Sequence, residues 1–147
     1  MLETILVAVD ASTQHAAILD QAAELAIATG AKVHVATVAD ACCKTGLALN
    51  RSSLGVFHAL GREVEDILRT ACGRLSDKGI TCQTHALSGT VPEQLALLAS
   101  DVRADMIVVG HRHLTWMQRI FDKSVGHDLL DRAPCSVLVV TDGAAES

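Results

Sequence analysis

Residues 81–109, TCQTHALSGTVPEQLALLASDVRADMIVV, hold a strand, a helix and a second strand in succession. Thr81 to Leu87 alternates with the two-residue period of a strand. Thr90, with Glu93 three positions later, is a capping box in which each side chain satisfies a free backbone N–H at a helix start. Pro92 is tolerated there because a first-turn residue needs no partner for its missing N–H. Val91, Leu95, Leu98, Ala99 and Val102 then repeat at helical spacing and define one apolar stripe. Met106 to Val109 (MIVV) is a short continuous apolar run ending at Gly110, the pattern of a strand buried on both faces.

The alternation continues in both directions. Thr4 to Val9 (TILVAV) is another such run and ends at Asp10. Ser12 or Thr13 can cap a helix carrying Ala16, Leu19, Ala23 and Ala26, and Gly30 stops it where a left-handed residue is cheap. Lys32 to Val38 (KVHVATV) reads as the second strand. Phe57, Leu60, Val64, Ile67, Leu68, Ala71 and Leu75 keep the three-and-four spacing of an amphipathic helix that Gly79 ends. Ser124 can cap a last helix running to about Arg132, Pro134 breaks it, and Ser136 to Val140 (SVLVV) is a fifth strand. Between these elements, Ala39 to Leu54 has little periodicity and reads as a loop of about sixteen residues, a length associated with function or mobility. Strand and helix alternating from end to end call for a doubly wound α/β fold: a five-stranded parallel sheet with helices on both faces, joined by right-handed crossovers. The 147 residues are read as a single domain over 1–147.

Composition narrows the partners. Twelve Lys and Arg against 17 Asp and Glu give a formal charge of −5, which lacks the broad positive field of non-specific nucleic-acid binding. Half the residues are hydrophobic, yet only Phe57, Trp116 and Phe121 are aromatic, so base-stacking platforms are excluded and the core falls to Val, Leu, Ile and Ala. No apolar run approaches the roughly 20 residues of a membrane span, and the chain opens on a strand pattern, so no membrane insertion and a cytoplasmic location are expected. Five scattered cysteines, an odd number, are read as reduced thiols; adjacent Cys42 and Cys43 would form a strained ring if paired.

In a doubly wound sheet, ligands sit outside the carboxyl ends of the strands where the strand order reverses. Asp10, Val38 and Gly110 each lie at such an end. The stretch His111 to Lys123 (HRHLTWMQRIFDK) carries +2 from Arg112, Arg119 and Lys123 against Asp122, in contrast with the chain's −5. One reading is an anion site: free N–H groups of Ser124, Val125 and Gly126, the helix dipole and the Ser124 hydroxyl would all favour a phosphate. The other is a solvated loop whose charges serve no ligand. Asp10 likewise can meet an adenosine or simply open the turn. His111 and His113 with His127 or Cys135 lack the spacing of a metal site, so no metal is expected; His15, His34, His58 and His85 are dispersed and read as partly exposed or hydrogen-bonded side chains. The nucleophile elbow, the Walker A loop and a G-x-G-x-x-G after the first strand are all missing.

TILVAVDAS, ATGAKVHVATV, ADMIVVGHRH and SVGHDLLDRAPCSVLVV are weak markers singly. Together, in this order and spacing, they make the chain resemble the universal stress protein family of adenine-nucleotide-binding-type α/β domains. The resemblance implies the sheet order 3-2-1-4-5 and a homodimer formed through the last strand, here Ser136 to Val140, which would also cover an apolar edge. It implies ATP or ADP as ligand, with Mg²⁺, held through a G-x2-G-x9-G-[S/T] loop. Gly110 and Ser124 match that pattern, while His113 and Lys123 stand where the second and third glycines belong. Asp10 matches the acidic residue at the adenosine end and Val38 the aliphatic residue beside adenine. Three functions follow as expectations: a stress-response regulator that binds a nucleotide through a modified phosphate loop with Asp10, Val38, Gly110, His113, Lys123, Ser124 and Val125; a dimer acting through protein contacts alone, with an unknown protein partner; or an ATP-hydrolysing enzyme. No residue presents itself as a general base near Ser124, so a non-enzyme is expected.

Overall fold

A computed structural model describes residues 2–9, 15–40, 54–89, 91–110 and 132–141. The elements are β1 (Thr4–Ala8), α1 (His15–Thr29), β2 (Lys32–Asp40), α2 (Leu54–Asp77), β3 (Cys82–Gly89), α3 (Val91–Val102), β4 (Met106–Gly110) and β5 (Ser136–Val140). All four pairings are parallel and the order is β3-β2-β1-β4-β5, as the resemblance implies.

β1 occupies the centre because it is apolar on both sides. Ile5, Leu6 and Val7 are fully buried. Odd residues of β1 face one layer and even residues the other, the consequence of the two-residue pleat. Ile5, Val7, Val33 and Val35 meet Ile18, Leu19, Ala22, Ala23 and Ala26 of α1 and Leu68, Ala71 and Leu75 of α2. On the opposite face Leu6, Ala8, Ala36, Ile107 and Val109 meet Leu95, Leu98 and Ala99 of α3. Small alanines on α1 let that helix approach the sheet closely, which is how a core with few aromatics reaches full burial.

Backbone caps fix the element ends. Gly30, at φ 74°, donates its N–H to Ala26 O at 2.7 Å and closes α1. At the amino edge of the sheet one Asp105 carboxylate oxygen accepts the N–H groups of Glu3 at 2.9 Å and Thr4 at 3.0 Å. The Asp105 N–H donates in return to Thr4 O at 2.8 Å, clasping β1 to β4. These two hydrogen bonds hold the Asp105 carboxyl below its ordinary pKa. Arg74 of α2 grips Asp20 of α1 with two N–H···O bonds of 2.9 Å, and Lys78 stands 3.6 Å from the same carboxylate.

One expectation needs correction. Ala39 and Asp40 continue β2, opposite Ser88 and Gly89 of β3, and Leu54 opens α2, so the stretch read as a loop from Ala39 to Leu54 begins later and ends earlier. Neither residue is a strand former by composition; the partner strand supplies the hydrogen bonds. Residues 41–53 lie outside the described residues, as do Ser12, Thr13, Thr90 and the segment 111–131.

Candidate functional site

Parallel strands deliver all their carboxyl ends to one edge of the sheet, and the order reverses there between β1 and β4. β1 pairs with β2 on one side, the strand that follows it in sequence, and with β4 on the other. Val9 extends β1 by one residue, donating its N–H to Ala36 O at 2.9 Å. Val38 stands two residues beyond that carbonyl, half-buried opposite Leu87, with both side chains packed on the α3 layer. Gly110 is buried at the end of β4, opposite Val140 of β5. The structure thus brings Val38 and Gly110 to the same edge, on either side of β1. Asp10, His113, Lys123, Ser124 and Val125 lie outside the described residues.

Gly89 belongs to this edge and was not singled out from the sequence. Its φ is +129°, and a Cβ placed on it would sit 3.1 Å from Gln94 Nε2 and 3.2 Å from Gln94 Cγ. The backbone angle therefore calls for glycine where β3 turns into α3, and any larger residue would also have to push the Gln94 side chain aside. A Ser-Gly-Thr triplet ahead of a Pro at the second helical position was the available signal.

Away from the edge, strand register creates one pair that sequence distance conceals, and the packing of α2 on β3 creates another. His34 and His85, 51 residues apart, bring Nδ1 and Nε2 to 3.0 Å. Burial, then the neighbouring His85 and Lys32, holds the His34 pKa below its ordinary value. Cys72 of α2 lies in hydrogen-bonding contact with Cys82 of β3; burial first, and then this neighbour, push the Cys82 thiol up to about 12, which keeps it protonated and unreactive at neutral pH. Cys135 is also raised, by burial and by Asp105. Among the described residues these three cysteines are free thiols, and no group of three or more His, Cys, Asp or Glu side chains is placed to hold a metal ion. His111, His113 and His127 fall outside the described residues.

Among the described residues no helix is long and apolar enough to cross a membrane. A universal stress protein of Methanocaldococcus jannaschii is 28% identical over 110 residues, 75% of this chain and 65% of that protein, so the chain spans just under two-thirds of that relative. The universal stress protein YxiE of Bacillus subtilis is 26% identical over 95% of this chain and 99% of its own. A crystal structure of a universal stress protein in complex with cAMP superposes with a TM-score of 0.69 at 25% identity, covering 95% of this chain and 97% of that one. The model of the universal stress protein family matches residues 1–141, and the chain belongs to that family.

Proposed function

We propose that this protein is a non-enzymatic regulator of the stress response that takes an adenine nucleotide, ATP or ADP with Mg²⁺, at the carboxyl edge of its sheet. Its single domain acts in the cytoplasm as a homodimer joined through β5. The observation that carries the reading is the placement of Val38 and Gly110 on the two sides of β1, where the strand order reverses. That a family relative 25% identical to this chain was crystallised with cAMP supports it.

In this reading Asp10 accepts hydrogen bonds from the adenosine end and Val38 packs against the base. Gly110 allows the backbone to turn toward the phosphates, and the Ser124 hydroxyl with the Ser124 and Val125 N–H groups binds them. His113 and Lys123 change the balance at two positions where glycine would let a phosphate touch the backbone. Holding either in a left-handed conformation costs on the order of 1 kcal/mol. Each in return offers a charge-assisted donor, which strengthens a phosphate contact.

The test is to heat-release small molecules from freshly purified protein for mass spectrometry, then to titrate ATP and ADP with Mg²⁺ into the emptied chain. Stoichiometric adenine nucleotide or micromolar binding is expected, weakened in Asp10→Ala and in Ser124→Ala. His113→Gly with Lys123→Gly distinguishes the roles of the replaced glycines: tighter binding shows the side chains obstruct phosphate, weaker binding shows they hold it. No bound nucleotide and no binding at millimolar ATP overturns the reading in favour of a dimer that works through a protein partner.

A further inference from the structure

Cys72 and Cys82 meet where α2 hands the chain over to β3. Leu68, Ala71, Cys72 and Leu75 follow the three-and-four spacing of one helical stripe, and Leu68, Ala71 and Leu75 are buried against the sheet. Cys72 therefore lies on the face that α2 turns to the strands. Cys82 stands opposite Val33, and register partners project to the same side of a sheet, so it enters the same layer and packs on the same core cluster. Their heights agree as well. The Ile80 N–H donates to Leu75 O at 2.9 Å, which sets the end of the turn level with the last turn of the helix. From there Cys72 lies about 4.5 Å back along α2, and Cys82 about 6.6 Å onward along β3, in the same direction because the chain has reversed. Both thiols are free and half-buried, and β3 is a margin of the sheet among the described residues, so a small solute reaches them. Cys135 packs on the α3 layer, across the sheet from both.

We propose that Cys72 and Cys82 form a reversible oxidation site, closed to an intramolecular disulfide by reaction with a hydroperoxide. Cys82 is the poorer nucleophile, since burial and its contact with Cys72 keep its proton in place. Cys72 is accordingly the sulfur that attacks first. With hydrogen peroxide its S–O bond forms as the O–O bond breaks, the thiol proton leaves with the departing oxygen as water, and Cys72 becomes a sulfenic acid. The Cys82 sulfur then attacks the Cys72 sulfur. The S–S bond forms, the S–O bond breaks, and the Cys82 proton leaves with hydroxide as a second water. Each sulfur gives up one electron, and the two electrons reduce one peroxide.

Cys82 is inert toward solution oxidants yet suited to this second step. Two of the three causes that hold its proton come from Cys72 and are lost once that sulfur is oxidised. Contact with the electrophile also replaces the thiolate population that a buried thiol lacks. The closed bond ties the last turns of α2 to the start of β3, and a thiol reductant reopens it by exchange. Gly89 is seven residues farther along β3, about 23 Å away at strand rise, so the site is separate from the nucleotide edge and does not rest on it.

The test is to treat reduced, tag-free full-length protein with a few equivalents of hydrogen peroxide at neutral pH, block remaining thiols with N-ethylmaleimide and map non-reduced tryptic peptides by mass spectrometry. Peptide Thr70–Arg74 is expected joined to Gly79–Arg103 with loss of two hydrogens, and dithiothreitol is expected to separate them. This measurement on the parent protein decides the matter without any variant. Recovery of both peptides as free thiols, a Cys72 that stops at the sulfenic acid, or a link from either cysteine to Cys42, Cys43, Cys135 or a second chain overturns the site. The order of attack is read from single variants with dimedone, which labels sulfenic acids. Cys82→Ser is expected to leave a labelled Cys72, and Cys72→Ser to label at Cys82 at least about tenfold more slowly. Equal labelling in the two variants overturns that order.

Discussion

Arg103 closes α3 at φ 57°, and among the described residues it is the one non-glycine side chain in the left-handed region. Its N–H reaches Ser100 O at 3.2 Å, and Ala104 reaches back to Ala99 O at 2.8 Å, so the turn is made with a residue that strains it. A left-handed L-residue costs about 1–2 kcal/mol, and a new glycine returns part of that gain through a freer unfolded chain. Arg103→Gly is therefore expected to raise stability by about 0.5–1 kcal/mol, read from the urea midpoint at unchanged slope. His34 gives a second effect at this scale. Because its folded pKa lies below 6.5, the folded chain holds it neutral. Above pH 6.5 it contributes no pH dependence. As pH falls from there through the folded value, the unfolded chain takes the proton first and stability drops; below the folded value both states are charged and the loss levels off. Denaturation midpoints across that window are expected to slope less in His34→Gln. Arg103 drew no notice in the sequence, and His34 was read there as a partly exposed or hydrogen-bonded side chain without its partner, for physical reasons. Arg103 stands where a helix stop is usually marked by glycine, and His34 acquires its partner only through strand register, which a period of two does not encode.

Elements were far more legible, since each is specified by its own stripe. The stripe Leu95, Leu98 and Ala99 is buried in α3, and the Val33 and Val35 side of β2 is buried against α1 and α2. Strand ends were less so: β2 runs to Asp40 because β3 offers partners, a non-local cause. Leu95 is fully buried at the centre of the α3 layer, so Leu95→Ala is expected to cost about 2–5 kcal/mol in chemical denaturation. The α1–α2 grip is weaker evidence for stability. Arg74 and Asp20 side chains are 43% and 41% exposed, and water and salt screen a pair of that kind. Hydrogen bonding to Arg74, opposed in part by burial, holds the Asp20 carboxyl below 3.8, so what the pair contributes is present at neutral pH and is lost as acid protonates Asp20 in the folded chain.

At the scale of the whole molecule, two strands form the margins of the sheet among the described residues, β3 and β5. Leu138 packs on the α1–α2 layer, so a charge there would damage the core and could not report on an interface. Val139 is 38% exposed on the same strand and is the better probe. In the proposed dimer, Val139→Lys is expected to give a folded monomer by sedimentation, and a folded dimer would place the interface elsewhere. The order of the strands was never in the periodicity; it came from resemblance, because any parallel arrangement of five apolar strands satisfies the same pattern. Of the candidate site, the strand-end positions of Val38 and Gly110 follow from topology, while the phosphate side, Ser124 and Val125 with His113 and Lys123 in place of glycines, is read from residue types alone and lies outside the described residues.

The Asp105 clasp joins the first strand made to one completed about a hundred residues later. β1 is the centre of the finished sheet, yet during synthesis its β4 side stays open until Met106 to Gly110 emerge. At translation rates of about 5–20 residues per second, that is an interval of roughly 5–20 seconds in which the β4-facing backbone edge of Ile5, Leu6 and Val7 has no partner strand. A nascent chain halted ahead of β4 would carry an adhesive strand edge at β1, so holding by the ribosome or by a chaperone matters most for Thr4 to Ala8.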